Sequence, residues 1–151
     1  MTLYLSTHFS LDELCASEIA ARLGIENDAP PALMPNLRRL ANTLEEIRSL
    51  LGVPVTIWSG YRCLAVNREL KSKDTSDHVK GLAADFIAPR FGKPLQVCEY
   101  IHLSDIEFDQ LIYEFGRWTH IGLPMDGEEQ KRQMFTIDKY GTRPGLLEVR
   151  R

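Results

Sequence analysis

The stretch from Ser76 to Asp85, SDHVKGLAAD, places an imidazole (His78) and a carboxylate (Asp85) seven positions apart. Zinc in proteins is bound by neutral imidazole nitrogen and carboxylate oxygen at roughly 2.0–2.2 Å, and a catalytic site has three protein ligands and a fourth position for water. A third candidate ligand, His120, follows further along the chain. The three side chains form a candidate catalytic metal site if the fold brings them together.

Asp85 is unusual because it lies inside the apolar segment Ala83–Ile87, which has the composition of a strand. An unpaired carboxylate in such a segment would be costly to bury. A divalent cation would compensate the charge, and so would an ion pair with Arg62. The second interpretation predicts a scaffold without metal, and the sequence pattern leaves both open.

A second carboxylate, Glu114, lies in the apolar run LIYEF. Near a metal-bound water, such a group can accept a proton and pass it to a leaving amine. A two-residue turn at Gly116–Arg117 would place Glu114 opposite Thr119, on the sheet face away from His120. A three-residue turn, or a bulge, would place it opposite Trp118 and on the same face as His120. A catalytic role therefore predicts the longer turn, and a solvent-facing carboxylate on an edge strand is the alternative.

Arg62 ends the tetrapeptide SGYR, directly after a segment with strand composition. Its guanidinium could bind a substrate carboxylate through two hydrogen bonds, or stabilise the negative oxygen that forms when an amide carbonyl is attacked. An exposed surface arginine is the other interpretation of the same pattern.

The elements that would position these groups are helices followed by strands. Apolar residues between Asn36 and Leu51 recur with a period of 3.6 residues, which predicts a helix that Gly52 ends. The order of elements indicates an α+β architecture, with one layer of helices on a mainly antiparallel sheet. Further segments predict strands at 53–58, 83–87, 109–115, 118–123 and 134–137, an exposed loop at 68–77, and a helix at 94–103.

Composition excludes several other classes of protein. The 151 residues favour a single domain, and the net charge of −3 gives no argument for binding nucleic acid or an anionic membrane. No apolar run approaches the ~20 residues of a membrane span, and the N-terminus lacks the pattern of a secretory signal. The three cysteines (Cys15, Cys63 and Cys98) are widely spaced, which argues against a disulfide framework or a thiolate zinc site.

These motifs together resemble the zinc D-Ala-D-Ala carboxypeptidases, peptidase family M15, and among them the small single-domain members of bacteria and phages. The resemblance runs from about His8 to Gly122. It implies a hedgehog/DD-peptidase-like fold in one domain, with a core at about 8–123 and an extension at 124–151. The motifs that carry it are SGYR at 59–62, Asn67, the pattern SxHxxGxAxD at 76–85, Glu114 and WxH at 118–120.

The resemblance also implies a role for each site residue. His78, Asp85 and His120 would bind zinc, Glu114 would be the catalytic base, and Arg62 would contact the substrate or the transition state. Ser76 and Trp118 would complete the substrate site, with Ser76 also orienting the ligand loop. Trp118 stands where some relatives have a histidine that helps to hold the oxyanion.

The implied activity is zinc-dependent hydrolysis of amide bonds in peptidoglycan stem peptides, with the D-Ala-D-Ala bond as the first choice. The protein would be a monomer made in the cytoplasm, and it would act on the periplasmic or extracellular cell wall of a bacterium, from a phage or a cellular origin. The alternative is a zinc-containing module of the same fold that has lost catalysis and binds peptidoglycan or serves a structural role.

Overall fold

The computed structural model describes residues 1–151 as a six-stranded sheet with helices packed on one face. The strand order is β1-β2-β4-β3-β5-β6, in which β3 and β5 run parallel and all other neighbours run antiparallel. The predicted α+β architecture is therefore confirmed. The elements are α1 (Leu11–Cys15), α2 (Glu18–Leu23), α3 (Met34–Leu51), β1 (Thr56–Ser59), α4 (Leu64–Glu69), β2 (Ala83–Ile87), α5 (Pro94–His102), β3 (Gln110–Glu114), β4 (Trp118–Gly122), β5 (Gln133–Asp138) and β6 (Gly141–Pro144).

Helix α3 provides most of the helical side of the core. Pro35 lies in its first turn, and Gly52 ends it in the left-handed conformation with its N–H bonded to the Arg48 carbonyl. The predicted helix is thus confirmed, with a start two residues earlier. Although α3 has 18 residues, no helix of the protein is both long and apolar enough to cross a membrane. Its buried face consists of Leu37, Leu40, Ala41, Leu44, Ile47 and Leu51.

The two faces of the sheet have different partners because side chains alternate along each strand. One face joins the helices in a single apolar core, to which Phe86, Leu111 and Ile121 contribute with almost no exposed surface. The opposite face is not covered by a helix, and it lines a cleft. Residues that lie two positions apart on a strand therefore share either the core or the cleft.

The connection between β3 and β4 is a three-residue turn, Phe115–Arg117. Phe115 and Gly116 both have positive φ, at 55° and 69°. This turn pairs Glu114 with Trp118, so Glu114 and His120 lie on the same face of the sheet. The longer turn that a catalytic role for Glu114 requires is confirmed.

Several boundaries differ from the sequence predictions. Strand β1 begins at Thr56 and not at 53, because Pro54 has no N–H to donate to a neighbouring strand. The predicted loop at 68–77 begins two residues inside α4. Strand β5 was predicted at 134–137, but its parallel pairing with β3 was not, and β6 was not predicted at all.

The last residues are tied to the sheet through Asp138, whose side chain is 3% exposed. Its carboxylate accepts hydrogen bonds from Nε and Nη2 of Arg150 at 2.8 and 2.9 Å, and from the Tyr140 backbone N–H at 2.9 Å. These bonds hold the pKa of Asp138 well below its usual range. The segment after β6 therefore packs as part of the domain.

Replacing a core leucine of α3 should destabilise the protein far more than replacing an exposed one. Leu44→Ala leaves a cavity where the side chain is fully buried, and we expect a loss of about 2–5 kcal/mol in the free energy of unfolding. The control is Leu50→Ala on the same helix, where the residue is 37% exposed. Urea unfolding measures both, and equal losses would contradict this account of the core.

Candidate functional site

Three buried residues, His78, Asp85 and His120, converge where β2 and β4 pair. Asp85 and His120 are direct partners in these antiparallel strands, and His78 lies in the turn that leads into β2. The residues are 3%, 6% and 7% exposed. One potential ligand atom of each lies within 4.8 Å of the others. The structure thus brings together the three residues that the sequence analysis selected.

The orientation of the His78 ring fits a metal ligand. Its Nδ1 is 2.7 Å from the Gly60 carbonyl oxygen, and because a carbonyl oxygen only accepts, Nδ1 carries a proton. In the neutral ring, the lone pair of Nε2 then faces Asp85 Oδ2 at 3.4 Å. Two lone pairs in this arrangement repel each other unless a proton or a cation lies between them. A backbone acceptor behind the ring is also a common means of orienting a metal-binding imidazole.

The charges of the cluster also fit a divalent cation. Burial would raise the pKa of Asp85, but the His78 and His120 imidazoles reverse this and leave it well below its usual range. Burial lowers the pKa of His78. Burial would also lower the pKa of His120, but the Asp85 carboxylate, 2.8 Å from its Nδ1, and the charge of Glu114 raise it. The Asp85 carboxylate is therefore kept ionised at the centre of the cluster, and a cation would compete with a proton for the His120 ring.

Arg62 forms the ion pair that the sequence analysis weighed against a metal. Its Nη2 is 3.1 Å from Asp85 Oδ2, while Nε donates to Ser59 Oγ at 3.0 Å and Nη1 to Asn67 Oδ1 at 3.4 Å. The ion pair and the histidine cluster coexist, because Asp85 directs one oxygen to His120 and the other toward Arg62 and His78. Three of the five N–H groups of Arg62 are thereby used, and the side chain lines the cleft.

Glu114 lies beside the cluster, with Oε1 at 3.8 Å from His120 Nδ1 and 16% of its side chain exposed. Burial, together with the charge of Asp85, raises the pKa of Glu114 to about 7. A general base works best when its pKa is close to the operating pH. The position and the pKa of this carboxylate both suit proton transfer next to a bound metal.

Trp118, opposite Glu114 on β4, has a buried indole N–H without a hydrogen-bond partner. A buried donor without an acceptor costs about 1–3 kcal/mol, so its presence in a cleft calls for an explanation. The ring is held between Trp58 and Phe115, at centroid distances of 5.7 and 5.5 Å. The nearest polar group is the Glu114 carboxylate, and the indole N–H partly opposes the rise in the pKa of Glu114.

The loop that carries His78 is organised by polar contacts. Ser76 Oγ accepts from the His78 backbone N–H at 3.3 Å. Asn67 is fully buried and donates to the Lys73 carbonyl at 2.8 Å, which ties the loop to α4. Sequence reasoning selected both residues from the motif that contains them.

One neighbour, Asp77, was missed by sequence reasoning. A Cβ at Gly122 would lie 2.9 Å from Asp77 Oδ2 and 3.6 Å from His120 Nε2. Gly122 therefore leaves room for a carboxylate on the far side of the His120 ring, and its charge also raises the pKa of that ring. The signal that could have identified Asp77 is its position beside a metal-binding candidate within the motif.

A cleft of about 810 Å³ surrounds the cluster. Its floor is the uncovered sheet face, and its walls come from the loops before β2 and after β4. The lining includes every candidate residue from the sequence: Arg62, Ser76, His78, Asp85, Glu114, Trp118 and His120.

Comparison with known proteins identifies the family to which this geometry belongs. The family model described as Peptidase M15 matches residues 7–122. The match contains all of the candidate residues and ends at the last residue of β4. No curated protein matches the chain.

Removal of a candidate ligand should abolish stoichiometric zinc binding. Chelator-treated wild type is expected to bind one zinc ion per chain. Asp85→Asn should lower the affinity for zinc by more than about 100-fold, because loss of a residue that merely hydrogen-bonds to a ligand already costs about 10- to 100-fold. His8→Ala is the control, because His8 is exposed and pairs with Glu45 outside the cluster. Calorimetric titration measures both affinities, and tight binding by Asp85→Asn would contradict the site.

Glu114→Gln should stabilise the metal-free protein at high pH. Because the folded state raises the pKa of Glu114 from 4.5 to about 7, it favours the protonated acid, and stability falls as the pH rises through this range. The amide avoids that loss, so we expect a gain of at most about 3 kcal/mol at pH 8 and none below pH 4.5. Urea unfolding at both values tests this, with exposed Glu107→Gln as the control. A gain that is independent of pH would contradict the assignment.

Proposed function

The chain belongs to the peptidase M15 family, and from this premise we propose that it is a zinc-dependent metallopeptidase that hydrolyses amide bonds in peptidoglycan stem peptides. The observation that carries the proposal is the buried cluster of His78, Asp85 and His120, with Glu114 3.8 Å from the His120 ring and on the same sheet face. The D-Ala-D-Ala bond is the first candidate for the bond cut. The protein would act on a bacterial cell wall as a single, monomeric domain of the hedgehog/DD-peptidase fold.

The residues divide the chemistry between them. Zinc, held by His78 Nε2, the Asp85 carboxylate and His120 Nδ1, would supply a Lewis acid and lower the pKa of water. Glu114 takes the proton of the attacking water and delivers it to the leaving amine. For the first step Glu114 must be ionised, so activity falls as the pH drops below the pKa of this residue.

The Arg62 guanidinium is suited to the negative charge that develops on the carbonyl oxygen, and Trp118 completes the substrate site beside it. Arg62 keeps unused N–H groups at the cleft although its other donors are bonded to Asp85, Ser59 and Asn67. Trp118 lines the cleft beside this position, and its buried indole N–H acts on the Glu114 carboxylate. Fixed donors in a partly buried cleft stabilise such charge more strongly than water does, because they need no reorganisation. Ser76 contributes at the wall of the same cleft, next to the ligand loop.

Glu114→Gln should retain zinc and lose hydrolysis. The amide cannot accept a proton, so we expect kcat to fall by about 10²- to 10⁴-fold, while one zinc ion per chain remains bound. Mass spectrometry of muropeptides after digestion reports both activity and the bond that is cut. Glu107→Gln, an exposed change on the loop before β3, is the matched control.

Two results would decide against parts of this proposal. If Glu114→Gln is as active as the wild type, the proton is transferred by another group. If the zinc-loaded wild type binds murein and releases no fragment of it, the protein is a binding module that has kept the fold without catalysis.

A further inference from the structure

We propose that β5 and β6, which lie beyond the residues matched by the family model, form a substrate subsite whose apolar floor is made by Phe135 and Ile137. The occupant is the part of the stem peptide that extends from the cut bond away from Arg62. The inference rests on the function proposed above. It identifies β5 and β6 as the elements that select a substrate by its length and its side chains.

The register of the sheet places Phe135 in line with the metal cluster. Asp85 pairs with His120, His120 with Ile112, and Ile112 with Phe135. Paired residues on neighbouring strands point to the same face of the sheet. Phe135 therefore lies on the cleft face, two strands from His120, which corresponds to about 10 Å at the usual strand spacing.

A second row runs beside the first and contains Glu114. Trp118 pairs with Glu114, Glu114 with Ile137, and Ile137 with Thr142 on β6. Ile137 is thus the direct neighbour of the proposed base, on the side away from Trp118. The two rows form one continuous floor from the cluster to β6.

Burial along β5 separates this floor from the core. Thr136 and Asp138 are 0% and 5% exposed and face the opposite side, whereas Phe135 and Ile137 are half-buried and line the cleft. Large apolar side chains that stay half-exposed in a cleft are typical of a binding surface.

The cleft extends in one direction from the cluster. Arg62, with 12% of its side chain exposed, lies at one end, and no residue of β1 contributes to the lining. In the other direction the floor crosses β3, β5 and β6, a span of about 14 Å, which an extended peptide covers with about four residues. The subsite therefore suits a peptide that is long on one side of the cut bond and short on the other.

The chemistry of the lining matches a stem peptide. The apolar floor suits alanine methyl groups and the methylene chain of a diamino acid. The lining carries both signs of charge: Lys73, Lys80 and Lys131 suit the carboxylates of such a peptide, and Asp77, Asp109 and Glu128 suit its amino groups. The cleft as a whole is mostly polar, with 7 hydrophobic residues among the 24 that line it, so the apolar floor is a local feature within it.

The floor is held in place from behind. Thr136 Oγ1 donates to the Gly145 carbonyl at 2.8 Å and accepts from the Leu147 N–H at 2.9 Å. Before β5, Arg132 donates to the Ile106 and His102 carbonyls at 2.9 and 3.0 Å. Because both ends of the strand pair are anchored, the subsite is formed before the substrate binds.

The test uses the full-length zinc-loaded protein and a series of peptides built on acyl-D-Ala-D-Ala and lengthened one residue at a time at either end. We expect kcat/KM of the wild type to rise with length on one side only. Phe135→Ala should raise KM for the longest peptide by about 10- to 100-fold. Zinc affinity should not change, and the increase in KM should become smaller as the peptide is shortened, because a shorter peptide does not reach β5. Ile137→Ala, a smaller change, is the second variant if Phe135→Ala does not fold.

Tyr140→Ala is the matched control, since Tyr140 lies in the β5–β6 turn, is 61% exposed and does not line the cleft. The inference is overturned if the wild type shows no preference for length, or if Phe135→Ala and Ile137→Ala bind and cleave the longest peptide as the wild type does. Failure of the subsite can be distinguished from failure of the proposed function by measuring binding without hydrolysis. Calorimetry compares the affinity of zinc-loaded Glu114→Gln for the longest peptide with that of the double variant that also carries Phe135→Ala. Weaker binding by the double variant supports the subsite even if no peptide is cleaved, and equal binding rejects it.

Discussion

The buried carboxylate of Asp85 is the constraint on which the site depends. Removing such a charge from water costs several kcal/mol unless partners compensate it. Its partners here are His78, His120 and Arg62, which come from the turn before β2, from β4 and from the segment after β1. Three separate segments of the chain therefore meet at Asp85 because each contributes a group that compensates its charge. The same convergence brings one potential metal-ligand atom from each of His78, Asp85 and His120 within 4.8 Å of the others.

The turn between β3 and β4 shows how backbone strain serves the site. A non-glycine residue with positive φ, such as Phe115, carries a cost of order 1–3 kcal/mol. A shorter turn would shift the register by one residue and move Glu114 to the core face, where its charge would be unpaired. The strained turn is therefore coupled to the position of the carboxylate that lies beside His78, Asp85 and His120.

The features that could be predicted from the sequence are those that depend on a local pattern of residues. The period of α3, the apolar strand β2 and the spacing of His78 and Asp85 are all visible in short windows of sequence. The sharing of Asp85 between Arg62 and the histidines was not predictable, because it depends on contacts between distant segments. Helix α4 escaped prediction because it has six residues and no side-chain cap. The parallel pairing of β5 follows a crossover, and no turn motif marks such a pairing.

The family match ends with β4, but the structural unit does not. Without β5, strand β3 would be an edge strand with unpaired backbone groups, and edge strands are prone to fray or to pair with other chains. The Phe115 N–H donates to the Ile137 carbonyl at 2.7 Å, so β5 also fixes the strained turn. This bond involves the backbone of Ile137 and is independent of its side chain. The strand beyond the matched region thus supports Glu114 through its backbone, while its side chains are free to vary with the molecule that occupies the cleft.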